Sequence, residues 1–495
     1  MLRLLLWRAR ILPPVRVLPI VQIVGFLLIL LSFLITLPVN LLVLGETPDQ
    51  QAFVTSALIC FGVGFLCFMV TGRERHGLKQ REMFLLTVST WVIIPFFSSL
   101  PLLFSDLGLS VTDAFFESIS GITTTGSTIL TGLDDMPADI LLWRSLMQWM
   151  GGIGIIGMAV AILPFLRIGG MRLFATESSE WTEKAVPRTN RLARGLVFSY
   201  LAITLSCIGV YWFLGMDLFN AVNHALTTVS TGGYSTSDSS MGQFDNPLIF
   251  LASSFFMALG GIPFFLFVRL LNGHYMPLLR DKQVHFFLQF LLIASLIITL
   301  YRAVTTDTPV AEAFVHALFN VTSVVTTTGY ASEDYMLWGP LVMVVFFFLT
   351  FVGGCSGSTS GGMKMFRFQL SMLLLREQMI RLLHPRAAMG RRYNGRIIGD
   401  EIIASSVAFS FIFLATLALA SAVLAALGLD LVTSLTGAAT ALANVGPGLG
   451  DTIGPAGNFQ SLPDAAKWVL MVVMLLGRLE LLSVLVLLSP HFWRG

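Results

Sequence analysis

The chain is poor in charge. Of its 495 residues only 12% are Asp, Glu, Lys or Arg, against 55% hydrophobic, and the mean hydropathy is +0.81. No soluble domain can hide that much apolar surface, so the solvent is lipid. Cysteine is also scarce. Cys60, Cys67, Cys207 and Cys355 show neither metal-ligand spacing nor a secreted disulfide framework, and they read as buried structural thiols. Phosphate-loop and dinucleotide fingerprints are missing, since Gly362-Met363-Lys364 lacks the Gly-Lys-Ser/Thr ending. The chain is therefore expected to bind no nucleotide of its own, so any nucleotide control needs a second chain. No His/Asp/Ser arrangement suggests hydrolysis, and nothing points to nucleic acid. An intramembrane enzyme would need paired acids or a nucleophile within the spans, where Glu480 is the only carboxylate expected.

Long uncharged runs are abundant. Val17–Leu44, Ala52–Thr71 and Phe84–Phe104 all exceed the roughly 18 residues that cross a bilayer. The first is too long for a cleavable signal and lacks a small-residue cleavage site. In lipid the backbone must bond to itself, so the spans are helices and the fold is an all-α integral membrane protein. Ten spans are expected. Two come first, at 17–44 and 52–71, followed by four pairs: 84–104 with 140–166, 195–215 with 247–268, 286–301 with 337–365, and 402–427 with 465–488. This divides the chain into a two-helix region (1–82) and four repeats (83–190, 191–283, 284–400 and 401–495).

Charge placement tests the count. The segments 1–17, 72–82, 167–194, 269–285, 366–401 and 489–495 hold 25 of the 30 Lys and Arg, and the intervening outer segments hold only Arg302. The positive-inside rule puts both termini in the cytoplasm. The same outer segments hold 18 of the 28 acids, either as ordinary solvated loops or as a face that concentrates cations.

Each repeat carries a Thr/Gly motif between its two spans: Thr123-Thr124-Thr125-Gly126, Val229-Ser230-Thr231-Gly232, Thr326-Thr327-Thr328-Gly329 and Ala443-Asn444-Val445-Gly446. Before each lies an apolar segment too short to span: Ala114–Ile122, Leu218–Thr228, Ala313–Val324 and Leu431–Leu442. These fit re-entrant helices, with Asp113, Asp217, Glu312 and Asp430 at their N-terminal ends, where an acid complements the helix dipole. The spacing from acid to glycine is unequal (113 to 126, 217 to 232, 312 to 329, 430 to 446), as in long-diverged duplicates. Non-helical backbone at membrane depth must be buried or line a wet cavity. Four such strands around one axis supply enough oxygen ligands to replace the water of a cation, without a net charge that would hold it too tightly. The candidate ligands are Thr124, Thr125, Gly126, Ser230, Thr231, Gly232, Thr327, Thr328, Gly329, Asn444, Val445 and Gly446. The bland reading is four turn-forming glycines in outer loops.

These motifs, with the flanking Ile119-Ser120-Gly121-Ile122, His224-Ala225-Leu226-Thr227-Thr228, Gly233-Tyr234-Ser235-Thr236, Tyr330-Ala331 and Pro447-Gly448-Leu449-Gly450, resemble the filters of the Trk/Ktr/HKT potassium transporter superfamily. The bacterial TrkH-type subunit is the most similar, because the two additional N-terminal spans are present. The resemblance covers the whole chain. It implies a potassium pathway on a pseudo-four-fold axis, a homodimer with one pore per subunit, and a cytosolic TrkA-like nucleotide-binding subunit docked on the basic inner face. It further implies a bacterial inner-membrane location and K+ as the transported ion. In that family glycine at all four filter positions, here Gly126, Gly232, Gly329 and Gly446, goes with potassium; the closest variant is a sodium-permeable pore. A symporter with alternating access is a further alternative, although it predicts an inverted repeat where this chain shows four units of the same sense.

The second span of repeat three breaks at Gly353-Gly354-Cys355-Ser356-Gly357-Ser358-Thr359-Ser360-Gly361-Gly362, a run that cannot face lipid. Arg478 lies inside the last span, where an arginine is a functional candidate by default. Gly353 and Arg478 fall at similar depths, roughly 22 and 20 Å below the outer ends of their spans at 1.5 Å per residue. Arg478 is expected on the pore axis beside the loop; a structural ion pair is the alternative. In TrkH-like proteins the matching loop and arginine are regarded as the gate. Lys364, Arg144 and Lys467 are expected to snorkel to the interfaces. His224 and His316 read as packing or capping residues, with pH sensing second. The glycines in Gly151-Gly152-Ile153-Gly154-Ile155-Ile156-Gly157 read as close packing, with a hinge second. Phe366–His384 reads as a surface helix or as the continuation of the preceding span.

Overall fold

A computed structural model describes residues 15–40, 48–71, 78–161, 185–385, 391–393 and 396–493. Parts of the inner segments that carry the charge argument therefore lie outside the described residues, as does the end of the span expected over 140–166. The fold is helical, apart from two pairs of two-residue strands, β1 (Val352–Gly353) with β2 (Met363–Lys364) in parallel and β3 (Arg392–Tyr393) with β4 (Arg396–Ile397) antiparallel.

Two helices lead, α1 (Leu18–Ile35) and α2 (Gln50–Thr71), and they pack closely on each other. Gly25 and Gly64 make the crossing possible: a Cβ on Gly64 would lie 2.7 Å from the Gly25 carbonyl oxygen. Both helices have lipid-type faces, with Phe26, Phe33, Leu58 and Leu66 exposed.

Each of the four stretches then runs helix, short apolar helix, helix. Repeat one has α3 (Gln80–Ser98), α4 (Val111–Ile122) and α5 (Ala138–Ala161). Repeat two has α6 (Ala185–Phe213), α7 (Leu218–Val229), α8 (Pro247–Gly260) and α9 (Phe264–Leu271). Repeat three has α10 (Lys282–Thr305), α11 (Val310–Val325), α12 (Pro340–Leu349) and, beyond the loop, α13 (Met365–Leu383). Repeat four has α14 (Asp400–Ala426), α15 (Leu431–Ala443), α16 (Asp464–Arg478) and α17 (Leu482–Leu488).

Two expected spans are not continuous. The span placed at 247–268 bends by 94° between α8 and α9, at Gly261-Ile262-Pro263, where Pro263 cannot donate to the preceding turn. The span placed at 465–488 bends by 110° between α16 and α17, where Glu480 and Leu481 take φ of +56° and +44°. Six described helices are long and apolar enough to cross a membrane, or eight if each bent pair counts as one. With the Gly/Ser loop of repeat three, three of the four second helices are thus interrupted. Among the described residues α5 shows no such break, and two of its glycines serve packing: Gly151 and Gly152 lie against Ile122 and Ser230, at the Thr/Gly segments of the first two repeats.

The packing is cyclic. Each of α4, α7, α11 and α15 sits against helices of its own repeat, and across repeats α5 meets α7, α8 meets α11, and α16 meets α4. Between repeats three and four the link is made by the loop, through the Gly362 N–H to the Ala443 carbonyl at 2.8 Å.

Candidate ion filter and gate

Of the four short helices three start on side-chain caps, and all four end alike. Ser110, Asp217 and Asp430 cap α4, α7 and α15 by accepting from the backbone N–H three residues on, while α11 begins after Pro309 with Glu312 in its first turn. Asp113 is therefore a first-turn residue, not the cap. Hydrogen bonds from Thr433 hold the Asp430 carboxyl below the usual carboxylate range.

At the other end the backbone makes one turn four times. The N–H groups of Thr124, Thr231, Thr327 and Asn444 reach three residues back, and those of Thr125, Gly232, Thr328 and Val445 reach five residues back. This is the paired bonding of a Schellman motif, which needs a left-handed residue. That residue is Thr124, Thr231, Thr327 or Asn444, with φ of +52°, +52°, +58° and +56°. Asn tolerates this region, whereas threonine is strained there by roughly 1–3 kcal/mol. Three strained threonines in one ring are a mark of a functional site.

The register corrects one expectation. The glycines with positive φ that follow this turn are Gly126 (+87°), Gly233 (+80°), Gly329 (+85°) and Gly446 (+111°). Gly233, not Gly232, holds the glycine position of repeat two, and Gly232 is the counterpart of Thr125. The irregular acid-to-glycine spacing largely disappears. Ser110 to Gly126, Asp217 to Gly233 and Asp430 to Gly446 each cover 16 positions, and Pro309 to Gly329 covers 20, one helical turn more.

The four tips close on one another. A Cβ on Gly126 would lie 2.3 Å from the Gly232 oxygen, on Gly233 1.8 Å from that of Thr328, on Gly329 2.0 Å from that of Val445, and on Gly446 2.8 Å from that of Thr125. Each glycine faces the carbonyl that precedes the glycine of the next repeat, and the fourth returns to the first. All four glycines line one cavity of about 260 Å³, which Asp238 and Tyr234 also border. The tips are therefore neither scattered nor simple surface turns.

Beneath the ring lies the loop of repeat three. The Gly361 N–H donates to Thr327 Oγ1 at 2.6 Å, and Thr359 Oγ1 meets Thr231 Oγ1 at 3.1 Å. Thr359 Oγ1 also donates to the Gly260 carbonyl at 3.0 Å, and the Cys355 N–H to that of Gly261 at 2.8 Å. The loop thus satisfies carbonyls that the end of α8 leaves open. The Arg478 Nη1 donates to the Thr359 carbonyl at 2.8 Å, while its Nε and Nη2 have no hydrogen-bond partner among the described residues. Glu480 pairs with Arg367 at 2.7 Å rather than with Arg478. Gly357, Ser358, Ser360 and Arg478 border a small cavity of about 20 Å³ on this side, room for about one water.

None of the three snorkelling expectations is met. Lys364 is 8% exposed and bonds the Ser360 carbonyl, Lys467 is 4% exposed and pairs with Asp113 at 2.6 Å, and Arg144 is 1% exposed. Arg144 joins a carboxylate that the sequence reading missed, Glu117 of α4, at 2.8 Å. Its guanidinium also covers the Tyr234 ring at 4.2 Å and donates to the Ser235 carbonyl. Depth estimated by residue count cannot see a partner on another helix; an arginine and a glutamate both inside outer half-helices were the available signal. Losing one partner of so buried a pair strands a charge. Arg144→Ala is expected to cost about 3–5 kcal/mol in thermal unfolding of the purified protein, and Arg144→Met with Glu117→Gln to recover most of it. Equal melting of the single variant and the parent would refute this. His224 is buried, its ring nitrogens meeting the Asn220 carbonyl and Ser235 Oγ, as expected of a packing residue, whereas His316 meets Ser332 Oγ at 2.8 Å and lies 3.6 Å from the Glu333 carboxylate.

The TrkH family, described as cation transport proteins, matches residues 49–494. The Trk system potassium uptake protein TrkI of Halomonas elongata is 51% identical over 96% of this chain and 97% of its own. The TrkH protein of Vibrio parahaemolyticus is 38% identical over 96% and 99%, and that of Escherichia coli 35% over 96% and 99%. The crystal structure of the potassium transporter TrkH from Vibrio parahaemolyticus superposes with a TM-score of 0.89, covering 97% of this chain and all of that one at 35% identity. Identity of this extent, on a ring of four matching turns in a multi-pass membrane fold, means that the chain belongs to the TrkH family of cation transport proteins, which are transporters and not enzymes.

Proposed function

We propose that the protein takes up potassium across a bacterial inner membrane, with both termini in the cytoplasm. The single observation that carries this reading is the closed ring of glycines and carbonyls, joined by relatives named for potassium uptake. Potassium gathers at the outer cavity and loses water to the oxygens of Thr125, Gly232, Thr328 and Val445. It passes the left-handed residues Thr124, Thr231, Thr327 and Asn444, and meets the 353–362 loop with Arg478. Helix C-terminal ends aimed at the ring favour a cation without binding it as a full charge would. The loop and Arg478 form the gate. The protein works as a homodimer with one pore per subunit, and a separate TrkA-like subunit that binds nucleotide acts on the gate from the cytoplasmic side.

Purified protein in liposomes tests this directly. Potassium flux should follow the electrochemical gradient, need no nucleotide hydrolysis by this chain, and exceed sodium flux. Sodium flux equal to potassium flux would replace this reading with a sodium-permeable pore, and strict stoichiometric coupling to a second ion would replace it with a symporter.

A further inference from the structure

The ring is unequal at its four positions. The Gly232 carbonyl accepts a hydrogen bond from the side chain of Gln148, from Nε2 at 2.6 Å. Among the described residues no side chain donates to the corresponding carbonyls of Thr125, Thr328 or Val445. The Oε1 of the same amide accepts from the Tyr234 N–H at 2.9 Å, so the two bonds straddle Gly233 and fix the orientation of the amide. Gln148 is fully buried on α5, one turn after Arg144, which donates to the Ser235 carbonyl at 3.0 Å. The straight helix of repeat one thus grips the filter strand of repeat two at three successive sites. This explains why two glycines stand side by side. Gly233 is needed for its φ. Gly232 has no positive φ and is needed for room, since a Cβ there would lie 2.4 Å from Gln148 Cδ.

We infer that Gln148 is a positioning residue for ion selection, an amide clip that fixes the Gly232 carbonyl and weakens it as a ligand relative to the other three. The inference rests on the reading of the ring as an ion filter. A carbonyl that already accepts an N–H has one lone pair in use and cannot follow a smaller ion inward. Sodium needs its oxygens closer than potassium does, so a clipped carbonyl penalises sodium more. Releasing the clip lets the ring contract.

The test uses the full-length protein in liposomes with opposed potassium and sodium gradients. Gln148→Met keeps the length and removes both hydrogen bonds. Gln148→Leu, uncharged and close in size, also removes both hydrogen bonds; it decides the matter if the Met variant does not fold. Both are expected to lower the potassium-to-sodium flux ratio about five-fold, the size of one ordinary hydrogen bond, mainly by gain of sodium flux. An unchanged ratio, whether flux is intact or falls equally for both ions, overturns the inference. Gly329→Ala in the same assay separates the two levels. If it alters flux or ratio while the Gln148 variants leave the ratio unchanged, the filter reading stands without the clip. If it alters neither, both readings fall.

Discussion

Gly233→Ala will abolish potassium uptake, whereas Gly232→Ala will leave a measurable fraction of it. At Gly233 the backbone holds φ at +80°, which costs an L-residue roughly 1–2 kcal/mol. The new methyl would also stand 1.8 Å from the Thr328 oxygen, a backbone atom of the next tip that cannot step aside without opening the ring. Strain of about 3 kcal/mol falling on the conducting arrangement alone is roughly a hundred-fold in rate. At Gly232 the obstructing atoms belong to the Gln148 side chain, which can turn away at the cost of its two hydrogen bonds. Uptake by the purified variants in liposomes, with correct folding checked by their melting, compares them. Equal losses, or a greater loss at Gly232, would return the filter glycine of repeat two to position 232.

That contrast also shows what the sequence carried and what it did not. The four short helices were legible because four short apolar segments, each led by an acid, are too short to span and too apolar for loops. Their observed bounds, such as Leu218–Val229 and Leu431–Ala443, fall within a few residues of those expected. The register of repeat two was not legible from Thr231-Gly232-Gly233, because either glycine fits a turn and only the hydrogen bonds from Thr231 and Gly232 back to α7 choose between them. The bend at Gly261-Ile262-Pro263 had a signal in its proline that an apolar window overrode. The bend after Arg478 had none, since Leu479-Glu480-Leu481 contains neither glycine nor proline, the residues that ordinarily announce a positive φ or a helix break. The buried charges Arg144, Lys364 and Lys467 failed for a common reason: snorkelling depends on distance to water, and a close partner removed the need for it, on another helix at 2.8 Å for Arg144 and 2.6 Å for Lys467. For Lys364 the partner is a carbonyl of the loop itself.

The interruptions of repeats two, three and four form one structure, and Arg478 joins its parts. Breaking α8 exposes the carbonyls of Gly260 and Gly261, and the loop fills them with Thr359 and Cys355. Breaking the last helix after α16 ends it at Arg478, beneath the ring, with its guanidinium on the Thr359 carbonyl. Arg478 therefore holds the loop against the ring, and on the proposed potassium path it has a second effect, a positive charge facing the cation. Arg478→Ala removes both. A hydrogen bond from a charged donor contributes about 1.5–3 kcal/mol, so its loss shifts the balance toward a displaced loop by roughly ten- to a hundred-fold, and potassium flux should rise on that scale. Substitutions separate the two effects. Arg478→Gln keeps a donor and loses the charge, whereas Arg478→Lys keeps the charge on a shorter-reaching group without the planar fork. If the latch dominates, Arg478→Gln stays near the parent flux; if the charge dominates, it behaves like Arg478→Ala and Arg478→Lys stays low. Flux at the parent level in all three variants would show that the loop is held, and the path closed, without Arg478.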